Sequence, residues 1–431
     1  MAEDYVIRVA NSPLDVDACA WDALLQTQPN PSPFLRHAYL AALHTSGSAT
    51  AKTGWTPHIF TLHMGGELMA ACAIYEKAHS YGEYVFDWAW ANAYAQHGLP
   101  YYPKAVAAVP FTPVPGARLM ARTDAARAIL LQALLRWCEQ SGMSSLHLLF
   151  LDDADAAVCE QAGLMLRHTV QFHWKNTTPG YADFDDFLMS LSQEKRKKIR
   201  QERRKVAEAG VSFRWSQGRD IAPQDWDFFY RCYERTYLEH GNAPYLNRDF
   251  FQRMADTMPE HWLLFIAERD GQAIATSLIA LDAHSTGAEC QNTSKDWAAV
   301  CSAQVKEEPA QRAGDTEQNT LPPSLRPVKV AYGRYWGALE RVDCLHFEAC
   351  YYQPLEWCIE HGYHRFEGGA QGEHKMARAL LPVKTTSAHW LAHPAFADAV
   401  ARFLEREGEG ITNYLDNLEQ RSPFRRDTTT N

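Results

Sequence analysis

The densest group of chemically able side chains is GGAQGEHK, Gly368 to Lys375, which follows the strand-like HRFE of His364 to Glu367 and leads into a helix. Three glycines let the backbone turn tightly and point its N–H groups outward, so a strand end that feeds a helix N-terminus forms an anion nest. The spacing GxxGxxK, with no Ser or Thr after Lys375, is not that of a Walker loop. Gln371, Glu373, His374, Lys375 and Arg378 crowd this turn, at the carboxyl end of a strand, where open sheets bind ligands. The plainer reading is a turn that needs glycine only for its shape.

A second group joins YGRYWG, Tyr332 to Gly337, to LHFEACYYQ, Leu345 to Gln353. On a regular strand Tyr332, Arg334 and Trp336 share one face, and Gly333 and Tyr335 the other. An arginine among aromatics in mid-sheet is costly unless it faces a cleft or a carboxylate. On the helix that follows, Glu348, Tyr351 and Tyr352 stand at i, i+3 and i+4 and share a face. A carboxylate beside a tyrosine suits amine acylation, in which one group takes the amine proton and another protonates the leaving group. Two core tyrosines with satisfied hydroxyls would give the same pattern. The expected roles are Glu348 or His374 as base, Tyr351 or Tyr352 as acid, and Arg334, Lys375 and Arg378 as anion contacts. Trp336, His346, Gln353, Glu367, Gln371 and Glu373 are expected around them as substrate or donor contacts.

KRKKIRQERRK, Lys195 to Lys205, concentrates basic side chains on one stretch. Such runs are usually a solvated helix face; the sharper alternative is contact with a phosphate-bearing donor. In the first half, Glu83 to Tyr94, YYPK (Tyr101 to Lys104) and PFTPVPGAR (Pro110 to Arg118) are rich in aromatics and proline. Asp87, Asn92 and Lys104 are candidates to line a cleft there, although an aromatic stripe is more often core. Histidines such as His361 and His364 lack clustered Cys or carboxylate partners, so no metal site is expected.

Elements must position these groups. The first half reads as a strand at 5–9, helices at 14–27 and 33–45, and a hairpin of 57–63 with 67–75. A helix at 83–97, a helix at 123–141, a strand at 145–150, a helix at 152–162 and a strand at 164–174 follow. The second half repeats the order: helix 184–209, strand 211–215, helices 223–239 and 247–257, and a hairpin of 262–269 with 272–282. Then come strand 328–336, helix 347–361 with Pro354 at its first turn or as a kink, strand 364–367, a short helix near 373–379, strand 383–391 and helix 394–417. The repetition predicts tandem copies of one α/β fold with mixed sheets, divided as 1–182 and 183–421. Residues 283–327, aperiodic and rich in Ser, Thr, Gln, Glu, Ala and Pro, read as a flexible surface insertion. Residues 422–431 read as a disordered tail.

Composition narrows the class. A chain of 431 residues with 46 % hydrophobic and 22 % charged side chains is an ordinary globular protein with room for two cores. No apolar run spans a bilayer, and the N-terminus MAEDYVIRVA lacks the basic and apolar regions of a signal peptide. A cytoplasmic location follows as the expectation, with the ten cysteines as reduced, mostly buried thiols. A net charge of −10 argues against broad nucleic-acid binding but leaves room for a local basic patch.

The stretches SPFLRHAYLAALHTSG, GWTPH, FDWAWANAY, YYPK, PFTPVPGAR, YGRYWG, LHFEACYYQ and GGAQGEHKMAR together resemble a bacterial family of N-acyltransferases. This is the FemAB-like, peptidoglycan-biosynthesis-related branch of the GNAT superfamily. The resemblance implies two GNAT-like domains with a cleft in or between them. It also implies transfer of an acyl or aminoacyl group to an amine on a small molecule or peptide, linked to cell-wall peptide or amino-sugar metabolism. LSQEKRKKIRQERRKVAEAG resembles the charged helix that joins the domains of Fem-type aminoacyltransferases. The chain departs from ordinary GNAT acetyltransferases after the fourth strand of its second half. There the Q/RxxGxG/A loop for the CoA pyrophosphate is replaced by GALERVDCLHFE, Gly337 to Glu348. Acyl-CoA and aminoacyl-tRNA both stay open as donor, with tRNA as a partner in the second case. A scaffold of this fold that binds a ligand or partner without chemistry is the alternative.

Overall fold

The computed structural model describes residues 5–282, 328–370 and 372–425. The strands are β1 (Tyr5–Ala10), β2 (Trp55–Met64), β3 (Glu67–Lys77), β4 (Lys104–Ala107), β5 (Met120–Ala121), β6 (Ser145–Leu151) and β7 (Met165–Lys175) in the first half. In the second half they are β8 (Val211–Gln217), β9 (Trp262–Arg269), β10 (Gln272–Leu281), β11 (Val330–Ala338), β12 (Arg365–Ala370) and β13 (Leu381–Leu391). They form one mixed sheet in the order β1-β2-β3-β4-β6-β13-β7-β12-β11-β10-β9-β8, with β5 beside β3. The order is nearly symmetric. Each half contributes an antiparallel hairpin, β2–β3 or β9–β10, and one parallel pair, β4 with β6 or β11 with β12. The halves exchange last strands: β7 pairs with β12, and β13 lies between β6 and β7.

Local sequence explains the parts. SLHLLFL of β6 is buried at every position, as a strand covered on both faces must be. Helix 124–140 (Asp124–Gln140) is capped by the Thr123 side chain, which accepts from the Ala126 N–H, and it buries Leu130, Leu131 and Leu134. One core joins the halves: the Phe34 ring meets Tyr332 edge-on at 5.3 Å, and Tyr39 meets Phe250 at the same distance. Gly337 sits where β11 passes beneath the helix Pro223–Glu239, and a Cβ there would lie 2.1 Å from the Cys232 carbonyl oxygen. Backbone cannot yield as a side chain does, so Gly337→Ala should destabilise the fold by about 1–3 kcal/mol. Thermal unfolding checks this; an unchanged midpoint would refute the close approach.

Several expectations change. The helix expected at 83–97 covers only Trp88–Gln96, because residues 79–87 are pulled into a loop by buried polar contacts described below. The helix expected at 184–209 is two helices, Phe184–Ser190 and Gln193–Glu208. The break at Leu191 is held by a bridge to Phe424, with the Ser192 N–H donating to Pro423 O at 2.9 Å and the Arg425 N–H to Ser190 O at 3.0 Å. Residues 422–425 of the tail expected to be disordered are therefore docked, with Phe424 packed on the core. The helix expected at 347–361 starts earlier, at Leu345–Phe347, widens into a π-helical turn at Glu348–Tyr352 and ends as Gln353–Glu360. Pro354 lacks an N–H, and the wide turn before it makes room for its ring. Cys19, which is exposed, is disulfide-bonded, whereas Cys72, Cys138, Cys159, Cys232 and Cys358 are buried free thiols. The insertion expected at 283–327, the site candidate Gln371 and the tail beyond Arg425 lie outside the described residues. Among the described residues no helix is long and apolar enough to cross a membrane.

Candidate active site

The parallel pair β11–β12 opens at its carboxyl end. Its register runs from Val330↔Arg365 to Tyr332↔Glu367 and stops there. Both strands bulge at that point. Across β10–β11, Leu278 faces Tyr335 and Ile279 faces Gly333, so Arg334 is the extra residue. Across β12–β7, Glu367 faces His173 and Ala370 faces Gln171, so Gly368 and Gly369 stand out of register. A bulge re-aims a side chain and ends pairing. The regular alternation expected for YGRYWG is thereby broken: Tyr332 and Tyr335 both pack into the shared core, while Arg334 turns into the opening. Its Nη1 donates to Glu367 O at 3.0 Å and to Gly333 O at 3.1 Å, its Nη2 lies 3.4 Å from the Glu367 carboxylate, and its Nε has no partner. Glu367 also pairs with Arg365 at 3.1 Å.

Two cavities meet at this waist and share Gly333, Arg334, Tyr335 and Gly368. The inner one, about 150 Å³, is bounded by Ile279, Trp336, His346, Cys350, Tyr351 and Lys375. The outer one, about 290 Å³, lies between the halves and is bounded by Tyr84, Phe86, Phe111, Pro113 and Tyr237. Lys375 Nζ donates to Gly368 O at 2.6 Å and to Gly369 O at 3.3 Å. Burial, then the nearby Arg334 charge, brings its pKa down to about 8. The imidazole Nε2 of His374 lies 3.2 Å from the Tyr351 hydroxyl. Burial and the charges of Arg378 and Lys375 lower the His374 pKa, and burial raises that of Tyr351. A neutral imidazole beside a protonated phenol can move a proton in either direction. His346, brought down to about 4 by burial and then by His374, is neutral too.

The remaining candidates turn away from the cavity. The Glu348 Oε1 accepts from Arg203 Nε at 3.1 Å and from Gln353 Nε2 at 2.8 Å, and Arg203 reaches Glu356 at 2.6 Å. Burial raises the Glu348 pKa against the pull of Arg203. Arg378 donates to both oxygens of Glu202, at 2.9 and 2.8 Å, and its Nη1 to His374 O at 2.7 Å. The Tyr352 hydroxyl donates to the same Glu202 carboxylate. These pairs fasten the inner face of the helix Gln193–Glu208 to the helix that carries Tyr351 and to the short helix Glu373–Arg378. Glu373 is surface-bound to Tyr414 at 2.9 Å and Arg421 at 2.7 Å. Outward, the same helix exposes Lys197, Arg200 and Arg204, and Arg196 joins them along one shallow groove.

In the first half the matching opening between β4 and β6 is filled by its own chain. Gly116 bridges Leu151, and Arg118 there donates to Leu149 O at 2.8 Å and to Gly116 O at 3.3 Å. Asp87 and Lys104, expected as substrate contacts, are instead buried against each other. Lys104 Nζ donates to Asp87, to Glu83 Oε2 at 2.8 Å and to Ser80 Oγ at 2.8 Å, and the Tyr101 hydroxyl donates to Asp87 at 2.6 Å. This cluster holds the loop that presents Tyr84 and Phe86 to the outer cavity. Tyr84 and Phe111 have φ of 63° and 61°, a left-handed strain that surrounding structure must sustain. Sequence reading missed Cys350, Tyr84, Phe111 and Tyr237 as cavity walls. Only the aromatic richness of 83–94 and 110–118 hinted at them.

A family model, FemAB-like, described as peptidoglycan biosynthesis/recognition, matches residues 12–286 and 316–426. No curated protein sequence matches the chain. Among solved structures, the crystal structure of FemX is similar with a TM-score of 0.50 and 9 % identity, over 91 % of this chain and 100 % of that one. L-PGS from Bacillus licheniformis gives 0.45 at 11 % identity, over 88 % of this chain and 98 % of that one. A tandem GNAT protein from the clavulanic acid biosynthesis pathway gives 0.42 at 11 % identity, over 91 % of this chain and 99 % of that one. At these identities the FemX likeness speaks for the fold.

Proposed function

The chain belongs to the FemAB-like family, and from that premise we propose that it is an N-acyltransferase that moves an acyl or aminoacyl group onto an amine at the β11–β12 opening. The observation that carries this reading is the contrast between the two halves: the first opening is filled by Gly116 and Arg118, while the second holds Arg334, Lys375 and the Tyr351–His374 pair around a cavity. The acceptor amine attacks the acyl carbonyl carbon. Lys375 Nζ faces the oxygen on which negative charge develops, which is where fixed donors accelerate acyl transfer most. His374 takes the amine proton, directly or through Tyr351, and Tyr351 protonates the leaving oxygen or sulfur. Glu348, bound by Arg203 and Gln353, positions the helix rather than acting as base. The chain works in the cytoplasm, as the source of its donor.

The donor is held through phosphates and not by a pantetheine grip. Arg334 occupies the β11–β12 gap by donating to Glu367 O, and the stretch after β11 has no second glycine for a pyrophosphate loop. The basic groove of Arg196, Lys197, Arg200 and Arg204 lies on the outer face of the helix whose inner face holds Glu348 and Tyr352, and such a row of cations suits a large phosphate-bearing carrier such as aminoacyl-tRNA. Exchanging Lys197, Arg200 and Arg204 for Glu should weaken donor binding and flatten its salt dependence by about 0.7–0.9 in log–log slope per lost phosphate contact. Titrations with aminoacyl-tRNA over a salt series measure this. Tight, salt-insensitive binding of acetyl-CoA by the triple variant would return the chain to the CoA-dependent enzymes.

A further inference from the structure

The inner cavity has a size and a wall chemistry that the transferase reading does not use. Its walls are Ile279, Phe366, Trp336, Cys350 and the rings of His346 and Tyr351. The Ser277 hydroxyl, also at the wall, is turned aside and donates to Ala349 O at 2.6 Å. The His346 ring stands edge-on to Trp336 at 5.4 Å and to Tyr351 at 5.7 Å, so the lining is largely aromatic. Both charged groups that line the cavity, Arg334 and Lys375, are cations held by backbone carbonyls, and Arg334 also pairs with the Glu367 carboxylate at 3.4 Å. Two glycines shape the entrance: a Cβ on Gly333 would meet the Phe366 ring at 2.6 Å, and one on Gly368 would meet Leu380 at 2.4 Å. A void of about 150 Å³ is the size that holds one benzene molecule in a protein interior.

We propose that this cavity selects the transferred group, and that the group is a branched or aromatic apolar acyl or aminoacyl unit about as large as a benzene ring. Glycyl and acetyl groups leave most of the space empty. A lysyl or arginyl side chain would meet Arg334 and Lys375 with like charge. The carbonyl end of an apolar group instead lies toward those two cations, with its hydrocarbon part against Trp336, Phe366 and Ile279. The word acyl rests on the transferase reading; the size and polarity of the bound group do not.

Free carboxylic acids serve as probes. Titration calorimetry of the full chain with acetate, isovalerate and phenylacetate should show the two larger acids binding at least about tenfold more tightly than acetate, since a single methylene in an apolar pocket is worth about 10–200-fold. Cys350→Trp fills the cavity and should abolish the difference. Should that variant fail to fold, Trp336→Ala, which enlarges the cavity, should shift preference toward naphthylacetate. Equal binding of the three acids to the parent chain, or a preference unmoved in the folded variants, overturns the proposal. Transfer from glycyl donors faster than from leucyl or phenylalanyl donors overturns it too, while leaving the transferase reading intact. Selective binding of the larger acids, removed by Cys350→Trp, upholds the pocket even if no donor is turned over, in which case the transferase reading alone falls.

Discussion

Lys104→Met is expected to destabilise the fold by about 3–5 kcal/mol, the loss typical of breaking a buried ion pair from one side. The Lys104 side chain is fully buried and donates to Ser80, Glu83 and Asp87. Without it, two buried carboxylates face each other with Lys77 as the neighbouring cation, and burial has already brought the pKa of that lysine down to about 7. The pH dependence follows from the present shifts. Burial would raise the Asp87 pKa, but the Lys104 ammonium overrides this and holds it well below the usual range. Asp87 therefore adds stability above its unfolded pKa of about 4 and loses it only in strong acid. Glu83 is already raised to about 7, chiefly by burial, so the folded state binds the extra proton and stability declines as pH climbs from about 4 toward 7. In the variant both carboxylates behave like Glu83. The deficit relative to the parent chain should therefore be small near pH 4 and grow toward pH 8. Urea unfolding at several pH values measures it. A deficit below about 1 kcal/mol, or one independent of pH, would show that Lys104 does not hold the 79–87 loop.

The GGAQGEHK loop was legible because its chemistry is local: glycines, His374 and Lys375 within a few residues at a strand end. The tandem fold was legible for a similar reason, since both hairpins carry their own turn signals. The exchange of β7 and β13 was not, because which strand lies beside β6 depends on pairings more than two hundred residues apart. The direction of Arg334 was hidden for a subtler reason. The bulge that turns it is a mismatch between β10 and β11, and neither strand alone contains it. Glu348 looked like a base because its helix neighbours are tyrosines. Its partner Arg203 lies on another helix, inside a run of charges that reads as a solvated face. Two members of that run, Glu202 and Arg203, point inward and tie the helix down, while Lys197, Lys198, Arg200, Arg204 and Lys205 stay exposed. Asp87 and Lys104, expected to line a cleft, are buried against each other and hold a loop whose aromatic residues, not their own charges, reach the cavity.

The second large effect is on catalysis. Lys375→Met should lower kcat/KM by about 10²–10³-fold, the usual consequence of removing one fixed donor to a developing oxyanion. Lys375 is placed by the carbonyls of Gly368 and Gly369, at 2.6 and 3.3 Å, so its ammonium is oriented before substrate arrives. The parent enzyme should also lose rate as pH rises through about 8, where burial has brought this group's pKa and the needed charge disappears. The variant should lack that alkaline limb while keeping any acidic limb set by His374, whose proton-accepting form is lost as pH falls.

The most direct measurement is therefore a mass-resolved transfer assay. The full chain and its Lys375→Met variant are incubated with leucyl- and phenylalanyl-tRNA, with the matching acyl-CoA thioesters, and with amine acceptors that include muropeptides. Acceptor mass is followed with time across pH 6 to 9. The account predicts an acceptor heavier by one acyl or aminoacyl unit with the parent chain, a rate that falls above about pH 8, and about a hundredfold less product or lower still with the variant. Saturable binding of donor and acceptor by the parent chain with no product at any pH, or equal rates for parent and variant, would contradict it.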